Sequence, residues 1–316
     1  MNTDSSTVAL VGLPRTGKST YLGALWDLIQ DRRDQTIVEV DVSGDRGYLQ
    51  TLGEQVARGD RVHRTAVASE EGLRLTVALN GTRRVHLDVP DLSGETLRVL
   101  VEDRIWHHRL SEAMKAADAV LLFVHPSLVR LPMRVNWTEA VLAEVDAAQR
   151  TEAETPAAGS EGAPAPPPDE GDVQADSVQA EPGDVDQARA SEPKFAPRYA
   201  CTAAKLVDAL ENLAYFRRAS VPLRIGFVVS AWDTVEEGLQ PEAWFADRLP
   251  GVMSLCASNP SEFSTEFFGV SAQGGRLPEQ RDELLRKGDV FNRAYARDRD
   301  GVAVPLSHPL EWALSG

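Results

Sequence analysis

The chain has only two cysteines in 316 residues, Cys201 and Cys256, and they show no paired spacing. A disulfide framework or a thiolate metal site is thereby excluded as the organising feature, and buried thiols in a reducing compartment are expected. Long apolar runs are equally scarce. The longest, Ala119 to Val124, is far shorter than the roughly 20 residues that span a bilayer. No basic-then-apolar leader opens the sequence, which points to a soluble, cytoplasmic protein. Positive charge is in deficit too: 33 Lys and Arg face 48 Asp and Glu, a formal net charge of −15. That balance argues against nucleic acid or an anionic membrane as main partner, since both attract basic surfaces.

What the chain does have is concentrated near its start. Val8, Leu10 and Val11 form a short apolar run that reads as a buried strand. Gly12-Leu13-Pro14-Arg15-Thr16-Gly17-Lys18-Ser19 follows at once and fits G-x-x-x-x-G-K-[ST]. Ser19 to Arg32 then reads as a helix, with Tyr21, Leu22, Leu25, Leu28 and Ile29 on one face. Strand, glycine loop and helix are the context this pattern needs to hold a phosphate chain. The glycines let several backbone N–H groups converge, and the helix N-terminus adds donors and a favourable dipole. In such a loop Lys18 reaches the β- and γ-phosphates and the Ser19 hydroxyl ligates Mg²⁺.

Further along, Thr36 to Val42 reads as a strand and Arg46 to Arg58 as a helix. Asp60 to Glu71 is polar and aperiodic and reads as a mobile loop. Leu73 to Leu79 and Val85 to Val89 alternate around Asn80-Gly81, a strong hairpin signal. Thr96 to Ala117 reads as largely helical, Ala119 to Val124 as a buried strand and Asn136 to Gln149 as a helix. Helices are expected over Cys201 to Arg218, Glu242 to Cys256 and Pro278 to Lys287, and strands over Leu223 to Val229 and Phe267 to Val270. Strands interleaved with helices indicate an α/β fold.

Composition changes between Thr151 and Arg198. This stretch holds eight of the 19 prolines and eleven acidic residues against three basic ones. It has too little apolar surface to offset its ordering entropy, so a disordered acidic linker is expected inside the domain. The expected division is 1–150, 151–198 and 199–316.

Three later segments bear on a nucleotide. Asp91 and Gly94, in D-x-x-G, end a strand, where an Asp can hold Mg²⁺ and a Gly N–H can contact the γ-phosphate. Asp233 ends another strand, and its carboxylate can accept from both N1–H and N2–H₂ of guanine. The backbone at Ser271-Ala272 can offer an N–H to guanine O6, and a wrong base leaves such groups unpaired.

The ordered set G-x4-GKS, DLSGE, SAWD and SAQGG resembles the successive nucleotide boxes of Ras-like, translation-factor-related P-loop GTPases. Trp232, the SAQGG form and the terminal Pro-Leu-Glu-Trp look like the second type of bacterial double-GTPase proteins. The resemblance implies a three-layer α/β P-loop NTPase domain with a mostly parallel sheet, interrupted by the acidic insertion. It implies that Gly12, Gly17, Lys18 and Ser19 cradle phosphates and metal, with Thr20 near the α-phosphate. Pro14, Arg15 and Thr16 complete that loop. Asp91 and Gly94 form the second switch, and Asp233, Ser271 and Ala272 take the base. Thr65 is the candidate for the first switch, as metal ligand and catalytic residue. The implied activity is Mg²⁺-dependent hydrolysis of GTP to GDP, slow without a protein partner, in a nucleotide-dependent switch of a multi-component bacterial system.

The sequence departs from that pattern in places. Ser230-Ala231 replaces the usual Asn/Thr-Lys, so the lysine stem that lies along the base is missing. Trp232 either stacks in its stead or packs in the core. Glu95 stands where relatives carry a water-orienting Gln, and either serves as a base or merely opens the next helix. Arg15 is either a built-in arginine finger or an exposed loop residue. A non-hydrolysing binding module and a P-loop ATPase or kinase therefore remain as alternatives.

Overall fold

Alternation along one strand decides the architecture. In β1 (Ser5–Gly12), Val8 and Leu10 join one apolar cluster while Ala9 and Val11 join another, and all four are buried. A strand buried on both faces belongs inside a sheet with helices on each side. The computed structural model describes residues 5–31, 37–62, 73–79, 81, 83–90, 93–132, 197–217 and 221–315. In it β1 occupies the middle of a nine-stranded sheet of order β2-β3-β4-β1-β5-β6-β7-β8-β9.

The strands are β2 (Ile37–Ser43), β3 (Leu73–Leu79), β4 (Arg83–Val89), β5 (Ala119–Val124), β6 (Leu223–Ser230), β7 (Phe263–Ser271), β8 (Tyr295–Arg297) and β9 (Ala303–Val304). β4, β1, β5, β6 and β7 run parallel to one another. Antiparallel pairs extend this block at both margins, β2 and β3 on one side and β8 and β9 on the other. The β3–β4 hairpin expected around Asn80-Gly81 is present, paired from Leu73↔Val89 to Leu79↔Arg83.

One face is covered by α1 (Lys18–Asp31), α2 (Arg46–Ala57) and the C-terminal α10 (His308–Leu314). In α1 the apolar face includes Tyr21, Leu22, Leu25 and Trp26, each at most 2% exposed. A leucine buried this way contributes roughly 2 kcal/mol over its exposed state. α2 is capped by Asp45, whose carboxylate accepts from Tyr48 N at 2.9 Å. The opposite face carries α3 (Glu95–Asp103), α4 (His108–Ala116), α5 (Thr202–Arg217), α6 (Pro241–Arg248) and α7 (Pro250–Ser258).

Several boundaries differ from those read in the sequence. The helix expected over Thr96 to Ala117 is two, because the first ends at Arg104 in the left-handed region, φ 60°. The one expected over Glu242 to Cys256 breaks at Leu249-Pro250, since Pro250 cannot donate the next helical bond. β7 starts at Phe263 instead of Phe267, and β8 and β9 carried no recognisable signal. Of the expected helix at Pro278, only α8 (Arg281–Lys287) is helical, followed by α9 (Val290–Arg293). The helix at Asn136 to Gln149 and the acidic linker as far as residue 196 lie outside the described residues. Residues 197–199 form one 3-10 turn. Both cysteines are free; Cys256 is buried, and burial raises its thiol to about 11, while Cys201 is half-buried. No helix among the described residues is long and apolar enough to cross a membrane.

Parallel strands end at one edge of a sheet, so the loops after β1, β4, β6 and β7 share one rim. Those are the loops that carry the four motifs.

Candidate functional site

The loop after β1 is closed largely by its own atoms. Lys18 is 3% exposed, and its Nζ donates to Gly12 O at 2.8 Å and Leu13 O at 3.3 Å. Thr16 Oγ1 donates to Leu13 O at 2.8 Å. Arg15 adopts φ 66°, uncommon for a side chain larger than glycine, and its side chain is exposed. Gly17 adopts φ 89°, and a Cβ there would lie 2.8 Å from the Ser230 Cβ. Gly94, at φ 80°, is pressed onto the same loop: a Cβ would sit 2.7 Å from Gly12 O and from Lys18 Nζ. The D-x-x-G glycine thus meets the lysine of the first motif. Asp91 and Thr65 lie outside the described residues.

The loops after β6 and β7 are joined side chain to side chain. Ala231 takes φ 47°, and Trp232–Thr234 make a single 3-10 turn. Ser271 is fully buried; its Oγ donates to the Asp233 carboxylate and accepts from Gly274 N at 3.1 Å. That orients Asp233 and leaves its second oxygen for another donor. Ser271 itself does not line the cavity. Trp232 is 5% exposed and lies against Gly269, where a Cβ would fall 2.3 Å from the indole. It is a packing residue, and Ala231, which does line the cavity, presents only a methyl there. Burial pushes the Tyr295 phenol up, and Asp233 adds to this, while Arg297 and a hydrogen bond with Ser271 oppose it.

A cavity of about 650 Å³ brings these pieces together. Its walls include residues 14–20 of the glycine loop and α1, Ser93 from the D-x-x-G segment, Asp233, and Ala272. The cavity is large enough for a nucleotide. Ser19 lines it at the start of α1, next to Lys18, in keeping with a hydroxyl ligand for Mg²⁺. Among the described residues no cluster of three or more His, Cys, Asp or Glu is placed to hold a metal.

Sequence reasoning missed one wall entirely. Arg61 and Val62, read as part of a mobile loop, line the same cavity. Arg61 donates to Leu277 O from Nε at 3.0 Å and Nη2 at 2.6 Å. Gln273 Nε2 donates to Asp60 O at 3.2 Å, and Arg281 pairs with the Asp60 carboxylate at 3.2 Å. Below them Arg293, 4% exposed, donates through Nη2 to Val56 O and Ala57 O at the end of α2. Its Nε and Nη1 are buried without a partner among the described residues. Burial lowers the affinity of this guanidinium for its proton, against the opposing pull of Asp27 and Asp289. No periodicity in residues 58–62 signals this clasp.

Glu95 faces elsewhere. Its carboxylate accepts from Arg98 Nε at 2.6 Å, and it lines a second cavity of about 330 Å³ bounded also by Leu13–Thr16. Arg98 also reaches Glu102, which pairs with Lys205 at 2.6 Å. Burial alone would push the Glu102 carboxyl up, but Lys205 and Arg98 outweigh it and hold it below the usual range. His125 borders both cavities; burial lowers its basicity and the Asp233 charge opposes that.

The family described as Double-GTPase 1 matches residues 9–313. The type is therefore the first and not the second that the SAWD and Pro-Leu-Glu-Trp segments suggested. Trp232 is buried against Gly269, and half-buried Trp312 lies edge-on to Phe268, so both serve packing. No curated protein matches the chain at a significant level. Among solved structures, sup35 complexed with GDP is similar at 12% identity and TM-score 0.32, over 87% of this chain and 39% of that one. An Era variant of Aquifex aeolicus bound to GDP and AlF4− is similar at 12% and 0.32, over 90% and 55%. A protein of Thermus thermophilus is similar at 20% and 0.23, over 45% and 17%. The chain thus spans between 17% and 55% of the length of these structures.

Proposed function

We propose that this chain, which belongs to the Double-GTPase 1 family, binds GTP and GDP with Mg²⁺ and hydrolyses GTP slowly, as a nucleotide-dependent switch. One observation carries the reading: four separated motif segments meet at one rim, three of them with Ser93 of the D-x-x-G segment lining one 650 Å³ cavity and Gly94 against Lys18. The division of labour follows from chemistry. The amides of residues 14–18 and the α1 N-terminus favour the phosphate chain. Lys18, now held by Gly12 O and Leu13 O, turns its ammonium to the β- and γ-phosphate oxygens and stabilises the charge that grows during in-line attack by water. Ser19, Asp91 and Thr65 are the protein groups that would hold Mg²⁺, which would supply further neutralisation of the phosphate charge. Asp233, oriented by Ser271, accepts from the guanine edge, and the Ala272 amide donates to O6.

A second reading is favoured by one contact. Glu95, which stands where relatives carry a water-orienting Gln, is engaged by Arg98 and borders the second cavity, so its carboxylate is not free to orient water. A module that binds GTP and recruits a protein effector, with negligible turnover, fits that arrangement. In both readings residues 1–150 and 199–316 form the nucleotide domain, 151–198 is an inserted linker, and a multi-component bacterial system is the setting.

Fluorescent-nucleotide titration tests the binding claim. GDP is expected to bind far more tightly than ADP in the presence of Mg²⁺, and equal affinities would remove guanine recognition. Single-turnover phosphate release separates the two readings: a rate above that in buffer supports the hydrolase, and a rate equal to it leaves the module.

A further inference from the structure

The guanine-nucleotide reading leaves one face of the base with little cover, because Ala231 has only a methyl to lay along it and Trp232 is packed in the core. We infer that Arg61, from the segment after α2, is the residue that covers the nucleobase. Three observations support it. Arg61 and Val62 line the cavity that Asp233 and Ala272 also line. Two edge N–H groups of Arg61 converge on a single carbonyl, Leu277 O, which fixes the guanidinium plane. The segment is held by three further side chains, Gln273 on Asp60 O, Arg281 on the Asp60 carboxylate, and Arg293 on the Val56 and Ala57 carbonyls of α2. An arginine bound through its edge still offers its flat face, and that face stacks well on an aromatic ring.

Arg276 lines the same cavity, but its guanidinium has only a 3.5 Å approach to Thr234 O. Arg61 is the pre-organised one of the two, and less ordering entropy is lost when it is used. Stacking is blind to the hydrogen-bonding edge of a purine. Arg61 therefore adds affinity for the nucleoside, while choice among purines stays with Asp233 and Ala272. Its anchor on Leu277 also links base covering to the loop that follows Ala272.

The test is competition binding of GDP, inosine diphosphate and pyrophosphate, all with Mg²⁺, to the full chain and its variants. Arg61→Ala is expected to weaken GDP and inosine diphosphate by the same factor, about tenfold, and to leave pyrophosphate unchanged. Arg61→Lys keeps the charge without the plane and is expected to behave like Arg61→Ala. Overturning results are an unchanged GDP affinity, an equal loss for pyrophosphate, full rescue by Arg61→Lys, or a loss in Arg276→Ala alone. The melting temperature without nucleotide should stay put, which separates this role from a merely structural one. A wild-type chain that binds pyrophosphate but neither nucleotide removes the guanine reading itself, and this inference with it.

Discussion

The two ends of the cavity are built on opposite plans. At the phosphate end the bonds are short-range: Lys18 reaches Gly12 across six positions and Thr16 reaches Leu13 across three. At the base end they are long-range: Ser271 to Asp233 spans 38 positions, Gln273 to Asp60 spans 213 and Arg61 to Leu277 spans 216. A loop tied to itself keeps its shape as long as its strand and helix are folded. A wall assembled from three distant segments opens whenever any one of them yields. The phosphate end is thus expected to be stiff and indifferent to distant change, and the base end to be the adjustable part.

The largest effect should come from cutting the stiff end. Lys18→Ala removes the one cation buried in the glycine loop, and a charged hydrogen bond to phosphate is worth about 3 kcal/mol. GDP and pyrophosphate affinities should fall together, by roughly a hundredfold or more. Asp233→Asn cuts the other end. There GDP should weaken by about 2 kcal/mol, roughly thirtyfold, while xanthosine diphosphate gains and pyrophosphate does not move. If both variants lower pyrophosphate equally, the two ends do not act separately and the contrast fails.

A subtler cut leaves every proposed ligand contact in place. Arg293→Met removes the clasp beneath Gly274 and the end of α2. Two carbonyls lose a donor, yet a buried guanidinium with two unpartnered nitrogens also disappears. These terms oppose each other, so global stability should change by about 1 kcal/mol or less. Local opening should rise instead. Hydrogen exchange at the amides of Arg58, Gly59 and Asp60 should speed up, and GDP affinity should fall a few-fold with pyrophosphate unaltered. Unchanged exchange there would show that the clasp does not hold the wall.

The same contrast explains what the sequence could disclose. The glycine-loop end of the cavity was legible because it is written in eight consecutive residues, Gly12 to Ser19, between a strand and a helix of clear periodicity. The sheet was legible for a similar reason, since Val8 to Val11 form an unbroken apolar run of the kind a strand buried on both faces carries. Arg61 was not. Its partner is a backbone carbonyl at Leu277, and a carbonyl leaves no mark on residue type. The same holds for Asp60 O and Val56 O. Trp232 could be read either as a stacking or a packing residue until Gly269 was found beneath it. The break at Leu249-Pro250 did have a signal, and a proline inside an apolar periodic run was read through.

His125 touches both ends, and its effect is confined to acid pH. It borders the glycine loop and lies within the field of Asp233, and burial depresses its pKa below the ordinary 6.5 in spite of that charge. Between the depressed value and 6.5 the unfolded chain holds a proton that the folded chain refuses. The contribution is therefore fully present above about 6.5 and declines as the pH falls, by no more than about 1.4 kcal/mol per pH unit. Glu102, held low by Lys205 and Arg98, loses its contribution only at more acidic pH, so the two are separable. Urea melts between pH 7.5 and 5.5 should show wild-type stability falling and His125→Asn falling less, by roughly 1 kcal/mol at the acid end. If the slopes coincide, His125 titrates as it does in water, and the junction between the stiff and adjustable ends is wetter than its burial implies.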